Sequence, residues 1–70
     1  MGHNYAKPLT SQIRLERILS RLPEDWSLRI DREAGQGWRV WMQPPSHEGQ
    51  WSEPHDILAD AMEEAWRAVR

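Results

Sequence analysis

Two alternating runs set between two helical periodicities predict an α+β domain of order α-β-β-β-α. The first observation is a hairpin signature over residues 26–43. Trp26, Leu28 and Ile30 alternate with Ser27, Arg29 and Asp31; beyond Ala34-Gly35-Gln36-Gly37, Trp38, Val40 and Met42 alternate with Arg39, Trp41 and Gln43. Strand side chains point to opposite faces with period two, so each run has one apolar and one mostly polar face. The second observation is a helical stripe in each flank. Leu15, Ile18, Leu19 and Leu22 recur before the hairpin, and Leu58, Ala61, Met62, Ala65, Trp66 and Val69 recur after it. The third is that only one sheet face is apolar. Both helices are therefore expected on that face, covering Trp26, Leu28, Ile30, Trp38, Val40 and Met42.

Taken in order, residues 1–8 lack periodicity and end at Pro8, so they read as a flexible tail before a single domain over 9–70. Thr10 or Ser11 suits the cap of the first helix. Its polar side carries Arg14, Arg17 and Arg21, the last two near the end where cations favour the helix dipole. Pro23 stops it at about Leu22, because proline disfavours helical geometry in the residue before it. Glycines at 35 and 37 suit the hairpin reversal, and Pro44-Pro45-Ser46-His47-Glu48-Gly49 reads as a loop. Residues 50–52 read as a short third strand, since a lone hairpin is a poor platform for helices. Ser52-Glu53-Pro54 reads as the start of the second helix, with proline tolerated in the first turn.

Composition narrows the function classes. A chain of 70 residues without cysteine holds neither a disulfide framework nor a thiolate zinc site. Its five tryptophans, each able to bury about 150–250 Å², supply most of the aromatic core. No strictly apolar run, Ile57-Leu58-Ala59 included, exceeds three residues, far below the ~20 residues of a membrane span, so no membrane association and a cytoplasmic protein are expected. The net charge of −2 argues against a general nucleic-acid binder. The distribution is polar along the chain: residues 1–22 set Lys7, Arg14, Arg17 and Arg21 against Glu16, whereas residues 48–70 set six acids against Arg67 and Arg70.

An α-β-β-β-α order in a chain of this length resembles the double-stranded-RNA-binding domain. That family clamps phosphates with a lysine-rich start to its second helix; Glu53-Pro54-His55-Asp56 stand there instead, so its activity is not carried over. The run from Gly37-Trp38-Arg39-Val40-Trp41 through Gly49 to Ala61-Met62-Glu63-Glu64-Ala65 resembles HicB-like antitoxin domains, covering under half the chain. That family opens a strand on glycine-aromatic and passes through a proline-containing loop to an alanine-spaced helix. Size and tryptophan content are similar to those of small bacterial and phage proteins.

One surface stands out. Trp41 lies on the polar face between Arg39 and Gln43, with Arg29 across or diagonal to it. A tryptophan among arginines is the composition of a protein-interface anchor or a stacking platform. It is equally that of an indole lying flat on arginine stems or under the 44–50 loop. The functional reading is a protein partner, self-association included, bound through Trp41, Arg39 and Arg29. The alternative is nucleic acid held by Arg14, Arg17 and Arg21. His47, Glu48, His55 and Asp56 fit no standard metal spacing, and no nucleophile motif or phosphate-cradling loop occurs, so no metal, cofactor or catalysis is expected.

Overall fold

The structure, a computed structural model, describes residues 10–69. The expected tail over residues 1–8 lies outside the described residues, as do Leu9 and Arg70 at the ends of the expected domain. The order is α1 (Ser11–Arg21), β1 (Ser27–Glu33), β2 (Gly37–Gln43), β3 (Gln50–Trp51) and α2 (Leu58–Ala68). The sheet is antiparallel with β2 in the centre. Both helices lie on one face: α2 runs over β2, and α1 packs alongside α2. Among the described residues, no helix is long and apolar enough to cross a membrane.

Local chemistry sets the boundaries of α1. The Thr10 hydroxyl accepts the Ile13 N–H at 3.1 Å, satisfying one of the amides that a helix start leaves unpaired. Leu22 closes the helix in extended geometry immediately before Pro23. Ile18 is buried, with Leu15 and Leu22 half-buried beside it, while Ile13 and Leu19 stay exposed. Leu19 thus departs from the expected buried stripe. A helix resting mainly on one neighbour buries a narrower stripe than its sequence offers.

The hairpin register sets Leu28 against Met42, Ile30 against Val40 and Arg29 against Trp41. Val40 and Met42 are fully buried and join Ile18, Ala61, Met62 and Ala65 in the core. The helices cover β2 and not the outer strand, so Ile30 is 46% exposed rather than covered as expected. Arg32 fills part of that space, its guanidinium 4.8 Å from the Trp38 ring centre. Trp26 precedes the strand proper, and its ring tilts against Trp66 with centres 5.5 Å apart.

The second helix begins later than its sequence suggests. Ser52 to His55 continue alongside β2 instead of turning into a helix. Ser52 is buried, its N–H donates to the Val40 carbonyl at 2.7 Å, and its hydroxyl accepts the Val40 N–H at 3.0 Å. His55 then exchanges both backbone hydrogen bonds with Trp38. Three residue steps on this side match two on β2, so the segment bulges and a side-chain oxygen replaces a missing ladder carbonyl. Gly37 permits this closure: a Cβ there would lie 2.9 Å from the His55 carbonyl oxygen, and its φ is +85°.

Candidate binding face

The sheet face turned away from the helices carries an arginine–tryptophan relay. The strand registers place Arg29, Trp41 and Trp51 in one cross-strand row and Asp31 with Arg39 in the next. The Arg29 guanidinium carbon lies 5.2 Å from the Trp41 ring centre, and that of Arg39 lies 4.8 Å from the Trp51 ring centre. The two indoles are 6.5 Å apart and inclined at 46°. Arg39 also donates to Asp31 Oδ2 at 3.1 Å. Asp31, Arg39, Trp51, Trp41 and Arg29 therefore form a continuous chain of contacts. A guanidinium over an exposed ring is worth about 0.5–1 kcal/mol, enough to fix side-chain orientation but small beside core burial.

Trp41 and Trp51 differ in accessibility. Trp41 is half-buried, and the edge of its indole lies against Gly49, where a Cβ would come within 2.1 Å of the ring. The loop is held in place by its own bonds. Gln43 Nε2 donates to the His47 carbonyl at 2.9 Å, and Ser46 takes a positive φ of 64° in the turn closed by His47 N–H and the Pro44 carbonyl. Trp51 is 41% exposed and is the open member of the pair. Of the sequence-derived residues, Trp41, Arg39 and Arg29 are thus brought together. Trp51 and Gly49 complete the arrangement and were not singled out by sequence. Their signal was the spacing Gly49-Gln50-Trp51 after a proline loop, which allows a third strand to set a second indole beside the first.

The three arginines of α1 border one groove but differ in their pairing. Arg14 reaches across to α2, where its Nε and an Nη donate to Glu63 at 3.1 and 2.8 Å and the same Nη meets Asp60. These carboxylates raise the Arg14 pKa, and Arg14 holds the Glu63 carboxyl below the usual carboxylate range. Arg17 and Arg21 stay exposed and, with Arg14, Ile18, Glu63, Trp66 and Arg67, line a groove of about 200 Å³ between the helices. Glu63 also lies 3.9 Å from Arg67, one helical turn on, a looser pair than its bridge to Arg14 of α1.

The histidines also have distinct settings. His55 Nε2 lies 2.6 Å from Glu64 Oε1, and the Glu53 N–H donates to Glu64 Oε2 at 3.1 Å. The bond from His55, aided by Glu53, lowers the Glu64 pKa. Among the described residues, no group of three or more histidine or carboxylate side chains is arranged to hold a metal ion.

The two lowered carboxylates give a pH dependence. A carboxyl with a depressed folded-state pKa stabilises the fold above its unfolded value and loses that contribution as pH falls through the folded one. Thermal stability is expected to hold down to about pH 5 and then fall below about pH 4.5, the ordinary value from which both groups are lowered. Melting curves of the wild type and a Glu63→Gln/Glu64→Gln variant check this. The double variant should start less stable at neutral pH and show a shallower acid decline; parallel acid limbs would contradict the assignment.

Compared with protein-family models, curated proteins and solved structures, the chain matches none.

Proposed function

We propose that this domain is a binding module, not an enzyme, and that it takes a protein partner through the sheet face centred on Trp41 and Trp51. The supporting observation is the paired indoles on the face that no helix covers, one of them 41% exposed. Tryptophan, tyrosine and arginine are enriched among interface hot spots; tryptophan buries a large area with only two side-chain torsions, and arginine adds a planar fork of donors. Here the arginine contacts already hold both rings, so little ordering cost remains on binding. Charge favours a protein over nucleic acid. Arg29 and Arg39 on this face are balanced by Asp31 and Glu33, whereas a nucleic-acid footprint needs excess positive charge.

Trp51→Ala is the direct test, since Trp51 contributes less to packing than Trp41. The variant should melt close to the wild type while its affinity for the partner captured by crosslinking from position 50 falls about thirty-fold, the equivalent of ~2 kcal/mol at a hot spot. Unchanged capture with an unchanged melt would overturn this reading. Salt-sensitive nucleic-acid binding that survives Trp51→Ala but not Arg17→Ala/Arg21→Ala would instead move the function to the helical groove.

A further inference from the structure

We propose that the outer edge of β1 pairs with β1 of a second copy of this chain, antiparallel and centred on Ile30, to give a continuous six-stranded sheet. This rests on the edge itself and not on the partner reading above.

The first step is which backbone groups are free. Trp38 and Val40 direct their N–H and carbonyl groups toward the 50–55 segment, where His55 and Ser52 take them. Groups alternate in direction along a strand, so the odd-numbered residues of β2 bond to β1. Their partners on β1 are Ser27, Arg29, Asp31 and Glu33. Leu28, Ile30 and Arg32 therefore aim their N–H and carbonyl groups outward. Among the described residues, β1 pairs only with β2. Its seven residues pair without a bulge and contain no proline, two devices by which monomeric proteins blunt an edge. Ile30 adds an exposed apolar side chain on the helix side of this edge.

The second step is the occupant. A twofold axis perpendicular to the sheet keeps the helices of both copies on one side and pairs residues of like face, leaving three central registers. Centring on Arg29 sets two guanidinium groups opposite each other; centring on Asp31 sets two carboxylates opposite each other. Centring on Ile30 sets Ile30 against the partner's Ile30, and sets Arg29 against the partner's Asp31 twice. Those charged pairs fall at non-hydrogen-bonded positions, where opposed side chains are closest. The outward groups of Leu28, Ile30 and Arg32 then meet their counterparts in complementary bonds. Of these three registers only the one centred on Ile30 opposes unlike charges, and it joins the two arginine–tryptophan faces into one surface.

Sedimentation of the full chain should show mass rising from 8.3 kDa toward twice that value with increasing concentration. A single edge-to-edge strand pairing belongs with small, weak interfaces, so association is expected in about the micromolar range or above. Monomer throughout, including the case in which residues 1–9 occupy the edge, would overturn the proposal. The register is tested by disulfide trapping, which the absence of native cysteine makes clean. Ile30→Cys should crosslink on mild oxidation, because opposed Cα atoms at a hydrogen-bonded pair are about 5.5 Å apart. Arg29→Cys and Asp31→Cys should crosslink several-fold less, and the reverse ranking would overturn the register. Asp31→Arg and Arg29→Asp should each weaken the dimer at least tenfold alone and restore it when mixed; failure of the mixture to associate would overturn the charge pairing. Trp51→Ala should leave the dimer intact, and loss of dimer in that variant would shift the contact to the sheet face.

Discussion

Met62→Ala is expected to lower unfolding free energy by about 2–5 kcal/mol, the range for deleting a buried methionine, leucine or isoleucine side chain. Met62 is fully buried on α2, within the cluster formed by Val40 and Met42 from the sheet and Ile18 from α1. Its helical neighbours in that cluster are Ala61 and Ala65, which have no side-chain length with which to fill a void. The site therefore collapses poorly, and the cost belongs in the upper part of the range. For a domain of this size total stability is about 4–10 kcal/mol, so the loss removes from about two-fifths of it to the whole. At about 4–8 °C per kcal/mol, the melting temperature should fall by more than 10 °C. Urea unfolding followed by tryptophan fluorescence measures the change. A loss below about 1 kcal/mol would mean that the surrounding side chains close over the cavity, contrary to the alanine argument. Met62→Leu, which keeps the volume, should cost less than about 1.5 kcal/mol.

The same core shows what local sequence carries and where it stops. The hairpin, its facing residues and most of the buried side of α2 follow from periodicity, because period two and period 3.6 leave their mark residue by residue; Ala59, outside the expected stripe, is fully buried as well. Burial of Ile30 does not follow, since it depends on α2 lying over β2 and leaving β1 at the rim. The start of α2 departs from the expected position for a related reason. Ser52 and Pro54 suit a helix start, yet Ser52 and His55 find partners on Val40 and Trp38, and a ladder bond to a distant strand has no local signature. Arg14 is similar: its helical position reads as solvated, while its partners lie 46 and 49 residues away. At the candidate face, Trp41 was legible as an indole on a polar side. Trp51 was not, because a strand of two residues is too short for alternation to assign its face.

Gly49→Ala is expected to be the most damaging small change at the candidate face. A Cβ at this position would lie 2.1–2.6 Å from three atoms of the Trp41 indole, well inside any real contact. The ring is held by neighbours on both sides. Arg29 lies over it from β1 and Trp51 stands on its other flank, while Gln43 fastens the loop that carries Gly49. Either the indole rotates out toward solvent or the loop lifts, and both break the relay at its centre. Overpacking of this kind costs about 1–3 kcal/mol. Its effect on binding should exceed its effect on stability, because Trp51 loses the neighbour that sets its tilt while the core around Met42 and Met62 is untouched. The expected result is a folded variant with red-shifted tryptophan emission and partner affinity reduced at least as far as in Trp51→Ala. Trp41→Ala in the Gly49→Ala background should add little further loss, since both substitutions remove the same packed ring. Full additivity of the two would show that Gly49 acts on the loop alone and that Trp41 holds its place without it.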